Sequence, residues 1–219
     1  MPEILEVAQK LYNEGKWKEA VIIIDDALPD LKEPENIAEA FRLKGWSRYY
    51  IGTKGLDDKQ TSLQMSVKDF LTALDRTSES KVRISVLNGL PLSLWVLGEK
   101  DKAWQTSDHA IKEFPDEPSV WNTRAILCRW AKDFEQSVEV CEKVYVTALN
   151  SVDYRTAGHG KHNKADALKE LNRIKEAEDE YAAAVGLYRK FEKTTGQSAK
   201  FHIDAVEKKM LEIAETKES

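Results

Sequence analysis

Two short stretches of the chain carry residue types capable of chemistry. His159, Gly160, Lys161 and His162 set two imidazoles three residues apart, an arrangement that histidine metal ligands use. No cysteine flanks them, and no acidic residue stands at convincing ligand spacing. Gly158 and Gly160 bracket His159, so the run Ala157-Gly158-His159-Gly160 reads as an exposed loop. Gly160-Lys161 is not a phosphate loop either, because His162 follows where Ser or Thr would bind magnesium. The second stretch holds Cys128 and Cys141. A nucleophilic thiol needs an imidazole nearby in an electropositive, accessible pocket, and His109 is the only candidate from a neighbouring segment. The two cysteines read instead as small buried hydrophobes facing each other. Gly89-Leu90-Pro91-Leu92 lacks the central serine of a nucleophile elbow. The expectation is a protein without catalytic residues, metal site or cofactor.

Composition narrows the class further. The 219 residues are 42% hydrophobic and 32% charged, with 10 Gly and 6 Pro. That is too apolar for a disordered chain and too poor in turn-formers for a sheet protein of many hairpins. The net charge of −5 offers no global attraction to phosphate backbones, and no basic stripe stands out, so no nucleic acid is expected. Two cysteines are too few for a disulfide framework. Met1-Pro2-Glu3 leads into an acidic amphipathic stretch rather than a signal peptide, and no apolar run approaches the ~20 residues of a membrane span. A cytoplasmic protein without membrane insertion is expected.

The elements that must position any site are helices. Ile4, Val7, Ala8, Leu11 and Tyr12 form an apolar stripe at helical spacing, which Glu14-Gly15-Lys16 ends. A second stripe, Trp17, Ala20, Val21, Ile24, Ala27 and Leu28, runs to Pro29. So short a turn makes the two helices an antiparallel hairpin. The phrase recurs at Gly98, Ala103, Ala110 and Pro115, with Gly15–Ala20 and Gly98–Ala103 equally spaced. Another copy runs through Trp121, Ala125, Cys128, Phe134, Ser137, Cys141 and Val144. Ala110 and Val144 are 34 residues apart.

In these residues the chain resembles the tetratricopeptide-repeat (TPR) family, whose helical hairpins recur with that period. The resemblance covers roughly residues 2–190. It is strongest in the first, third and fourth copies and looser around Phe41, Gly45 and Phe70 and around Ala165, Leu168, Ala177 and Tyr181. It implies an all-α, right-handed α-solenoid of about five degenerate helix-turn-helix repeats over 1–193. A capping helix and tail follow over 198–219, with Phe201, Ile203, Val206, Met210 and Ile213 on its apolar side and Asp204–Lys208 and Lys208–Glu212 spaced to pair along its polar side. Ala20, Ala27, Ala103, Ala110 and Ala125 are the small residues that let helices approach. Residues 53–64 interrupt the second copy, either lengthening its helices or adding a loop. Pro91 predicts a kink or break, or a helix starting only after Asn88.

The same resemblance implies that first helices line a concave groove. Its side chains are then Leu5, Gln9, Tyr12 and Asn13; Arg42, Trp46, Tyr49 and Tyr50; Asn88, Leu92 and Trp95; and Asn122, Ile126, Arg129 and Trp130. From these, Tyr12, Arg42, Trp46, Tyr50, Asn88, Trp95, Asn122, Arg129 and Trp130 form the candidate partner-binding set. Rigid aromatics and arginine are favoured at protein hot spots, and Asn amides can pair with peptide backbone. The same aromatics could equally be core. Leu5 and Gln9 stand where the carboxylate clamp of chaperone-binding TPR domains has Lys and Asn, so that clamp is not expected. The function implied is a non-catalytic scaffold, or adaptor, that holds a peptide or helix of a partner protein. The alternative is a structural subunit that assembles through its convex face or C-terminal helix, homo-oligomers included.

Overall fold

The computed structural model describes residues 2–218, and side-chain surroundings for residues 2–215. All regular structure among them is helical. The chain divides into two compact units, Met1–Glu113 and Phe114–Ser219.

The first unit holds three hairpins: α1 (Glu3–Asn13) with α2 (Trp17–Ala27), α3 (Pro34–Thr53) with α4 (Lys59–Leu74), and α5 (Ser80–Val96) with α6 (Lys100–Glu113). A single 3-10 turn, Leu28–Asp30, links the first two. Leu5, Ala8 and Ile24 pack on Ala40 and Leu43 of α3. Phe70 and Ala73 of α4 pack on Val82, Val86 and Leu90 of α5 and on Ala103. Ala20 and Ala103 are wholly buried and Ala110 nearly so, as small residues at close helix crossings must be. The interruption at 53–64 lengthens its two helices, leaving only residues 54–58 as the turn.

One ring organises this unit. Phe70 lies between Gly45 of α3 and Gly89 of α5. A Cβ on Gly45 would stand 2.6 Å from that ring, and one on Gly89 closer still. The two glycines are therefore seats for an aromatic side chain from the intervening helix. Pro91 neither breaks nor delays α5, which runs unbroken from Ser80, ahead of Asn88, to Val96. The expectation of a late start is corrected: the helix is held by Val82, Val86, Leu90, Pro91 and Leu94, all buried. Their burial offsets the backbone bond that proline removes.

The second unit holds two hairpins and a closing helix: α7 (Pro118–Trp130) with α8 (Phe134–Asn150), α9 (Tyr154–Glu170) with α10 (Ile174–Thr195), and α11 (Lys200–Glu218). Asp133 and Asp153 cap α8 and α9, each accepting from the backbone N–H three residues on. Gly196, in the left-handed conformation, ends α10. Tyr181, Tyr188, Val206 and Ile213 fill the core of the last three helices. Phe201 does not join them. It is 81% exposed at the start of α11, on the side away from Ile203, Val206 and Met210. Asp204 pairs with Lys200, and Glu212 with Lys169 of α9, rather than either with Lys208.

The segment around His159 is a correction. Residues 157–162 lie in the middle of α9, and Gly158 and Gly160 are buried. A Cβ on Gly158 would stand 2.6 Å from the Tyr188 ring, and one on Gly160 would press on the α8 backbone at Cys141 and Tyr145. Both glycines serve close packing, not a loop.

Every hairpin turn closes in one way. The backbone N–H groups of Lys16, Leu56, Glu99, Asp133 and Arg173 each reach the carbonyl five residues back, at Leu11, Ile51, Leu94, Cys128 and Leu168. This is the Schellman ending, with one left-handed residue at its centre. That residue is Gly15, Gly55, Gly98, Lys132 and Asn172 in turn, at intervals of 40, 43, 34 and 40 residues.

Candidate protein-interaction site

In the first unit, α1, α3 and α5 are cross-linked by a polar ladder. Arg42 of α3 donates to both oxygens of Glu39 at 2.6 Å, to Gln9 of α1 at 2.8 Å and to Ser85 of α5 at 3.4 Å. Gln9, Glu39, Arg42, Val82 and Ser85 line a depression of about 550 Å³, together with Glu35, Asn36, Glu79 and Lys81. The indole N–H of Trp46 donates to the Ser85 hydroxyl (3.1 Å) and carbonyl (3.2 Å). Arg42 and Trp46 thus tie neighbouring first helices together.

Beside the ladder lies a run of half-buried aromatics. Trp17 stacks on Tyr50 with ring centroids 5.0 Å apart at 17°. Tyr50 lies 6.1 Å from Trp46 and 6.0 Å from Tyr12, and Tyr49 stands edge-on to Trp46 and Tyr50. Such offset and edge geometries suit ring quadrupoles. Burial raises the Tyr12 and Tyr49 hydroxyls above the usual phenol range, Tyr49 to about 12. Trp95 sits edge-on to Trp104 at 5.8 Å, with the Lys100 ammonium 5.3 Å over its ring. Asn88 is half-buried on α5, while Leu5 and Leu92, read from sequence as groove residues, are core. Leu5 lies on the one apolar face of α1, and Leu92 belongs to the stretch 89–94 of α5, which is buried on every side of the helix. Trp17 was not among the sequence-derived candidates, because it belongs to a second helix; only its stack on Tyr50 puts it here.

In the second unit the corresponding ladder is charged. Asn163 of α9 donates to Asn122 of α7 at 2.9 Å and accepts from Arg129 at 3.2 Å. Arg129 also meets Asp166 at 2.7 Å. The same carboxylate accepts from Tyr181 at 2.7 Å and from Lys209 of α11 at 2.5 and 2.7 Å. These donors hold Asp166 below the usual carboxylate range despite its burial. Arg129, Trp130, Phe134, Asp166 and Lys209 border a depression of about 450 Å³. Asn163 and Asp166 escaped the sequence reading because they follow directly on the run taken for a loop.

The residues first considered for chemistry lie elsewhere. Burial pushes the Cys128 thiol up to about 11 and the Cys141 thiol to about 12, far from thiolate reactivity. Cys128 bonds Gln136 at 3.1 Å. His109 is exposed on α6 and pairs with Glu113 at 3.1 Å. No group of three or more His, Cys, Asp or Glu among the described residues is arranged to hold a metal ion. Nor is any helix among them long and apolar enough to cross a membrane.

No protein-family model matches the chain, and no curated protein does. Solved structures do. BtubC (BKLC) from P. vanneervenii superposes with a TM-score of 0.64 at 16% identity, over 86% of this chain and 80% of that one. MamA (AMB-1) superposes with a TM-score of 0.51 at 15% identity, over 85% of this chain and 98% of that one. At such identities the likeness concerns the backbone alone. This chain has an all-α helical-repeat fold.

Proposed function

We propose that this chain is a non-catalytic interaction scaffold, resembling TPR proteins, that holds a peptide or helix of a partner protein against its first helices. One observation carries the reading: the aromatic run Tyr12, Trp17, Trp46, Tyr49 and Tyr50 is stacked into a rigid surface and left half-open to solvent. Rigid, amphipathic rings lose little entropy on binding and dominate protein interfaces. Trp95 on α5 offers the same chemistry within the first unit, and Trp130 on α7 offers it separately in the second. Arg42 shapes the surface of the first unit through its ladder, where Asn88 can pair with a bound backbone, and Asn122 and Arg129 shape that of the second. The reading places the protein in the cytoplasm, with a protein rather than a nucleic acid as partner.

The test is affinity capture from the native cell with the wild-type chain, Tyr50→Ala/Trp95→Ala and Trp130→Ala. Retention of folding with loss of a specific captured protein is the expected result. Capture unchanged in both variants would remove the first-helix surface from consideration. A second reading, a structural subunit assembling through α11, is favoured by Phe201 and Leu211, which are 81% and 64% exposed. It predicts a concentration-dependent mass that Phe201→Ser abolishes.

A further inference from the structure

Three of the four histidines in the chain meet where α11 lies on the last hairpin. His159 of α9 stands edge-on to His202 of α11 with ring centroids 4.8 Å apart. Both rest on the Tyr188 ring of α10, at 5.7 and 5.2 Å, and the buried Tyr188 hydroxyl has no hydrogen-bond partner. One turn further along α9, His162 Nε2 lies 3.0 Å from Lys209 Nζ, the ammonium that also holds Asp166. We propose that α11 is an acid-released cover: protonation of His159, His162 and His202 detaches it from α9 and opens the α9 face that carries Asp166. This rests on the reading of the unit's first helices as a partner surface, of which it is the regulation.

The surroundings favour neutral imidazoles. His159 faces His202, Arg155 and His162, with Asp153 the opposing acid. His162 faces Lys209, Arg129 and His202, against Asp166 alone. That carboxylate lies 3.8 Å from His162 Nε2 and opposes the shift more strongly than any one of these cations, but burial outweighs it. Glu142 of α8 and Glu180 of α10 are engaged by Lys161 and Lys164, and Glu212 of α11 by Lys169. Burial first, then these cations, lowers His159 and His162 from 6.5 to about 4. His202 is lowered by burial and by Arg155.

The sign follows from linkage. A histidine whose pKa is lower in the docked than in the released state binds its proton on release. Docking is therefore at full strength above pH 6.5, weakens as pH falls toward 4, and loses nothing more from these groups below that. Asp166 stays ionised through this window. With a pKa near 4 docked and 6.5 released, each of His159 and His162 shifts the release equilibrium on the order of tenfold or more at pH 5. The seam opposing release is short: Val206 and Ile213 are buried, and Ile203 and Met210 partly so.

Hydrogen exchange of the full chain at pH 7.5, 6.0 and 5.0, corrected for intrinsic rates, tests the proposal. Amides of α11 should lose protection at least tenfold by pH 5.0 while those of α10 keep theirs. Constant protection in α11, or an equal loss in every helix, overturns it. In His159→Gln/His162→Gln the response should fall below about threefold, and a wild-type response in that variant overturns it as well. If that variant folds poorly, ring-proton titration of the wild type decides. Midpoints below about 5.5 for His159 and His162 are expected, and midpoints near 6.5 overturn the proposal. Since α11 itself is read, failure here leaves the partner-capture result standing, and failure of partner capture leaves this one.

Discussion

The two units use the same aromatic seat and different turns. In the first, Phe70 of a second helix lies between Gly45 and Gly89 of the flanking first helices; in the second, Tyr188 lies on Gly158. In each, the missing side chain of a first helix makes room for a ring of a second. At the turns the units part. The left-handed position is Gly15, Gly55 and Gly98 in the first unit, but Lys132 and Asn172 in the hairpins of the second, with Val152 between its hairpins. Only glycine adopts that conformation without steric cost. Lys132 and Val152 thus hold the turn geometry against local preference, whereas Asn172 is a residue type that tolerates it. The units also differ in titratable groups. The first buries Asp69, 2.6 Å from Arg48, and the second half-buries His159, His162 and His202.

The largest test of the shared seat is to empty it. Phe70→Ala and Tyr188→Ala should each destabilise by about 3–5 kcal/mol in chemical melts. A much smaller loss for Tyr188, whose hydroxyl is buried without a partner, would show that the second seat is the weaker. Overfilling is next. Ala110→Trp should overpack α6 against its neighbours and cost about 1–3 kcal/mol or more; an unchanged melt would contradict the role of Ala110 as a packing alanine.

Acid should move the units in opposite directions. Burial, ahead of the opposing Arg48 and Lys44, raises Asp69 to about 6. Its folded pKa lies above the unfolded value of 3.8, so the first unit gains stability as pH falls from 6 toward 4. His159 and His162 are lowered to about 4, so in the second unit the docking of α11 weakens between pH 6.5 and 4. Each effect is of order 1–3 kcal/mol. Residue-resolved hydrogen exchange at α4 and α11 would register both signs, and a shared sign would dissolve the contrast. The smallest effect concerns the turns. Val152→Gly, at a positive φ of 59, should stabilise by up to about 1 kcal/mol in a urea melt, whereas Gly98→Val should lower the midpoint.

What was legible follows the glycines and alanines. Gly15 and Gly98 announced their turns, and Ala20, Ala103 and Ala125 their crossings, because each residue type has a local physical reason to be there. The interval of 34 residues holds only from Gly98 to Lys132, and the remaining intervals are 40 and 43, so the repeat shows in full only through its hydrogen bonds. Gly158 and Gly160 misled, because a glycine that makes room for a ring and one that turns a chain look alike in sequence. Of the candidate site residues, the aromatic types were readable. That Arg42 and Arg129 would bridge first helices was not, since their partners Ser85 and Asp166 lie 43 and 37 residues away.

By itself the sequence determined most of the helices, their hairpin pairing and the small residues at their crossings. Period and turn chemistry act within a few residues, so a linear reading captures them. Only the tertiary structure decided which side of each helix is spent on packing. It seated Phe70 and Tyr188 on glycines, joined Gln9, Arg42 and Ser85 into a ladder, and brought His202 and Lys209 onto α9. Those arrangements depend on how separate helices rotate and stack, and nothing local to any one of them encodes that.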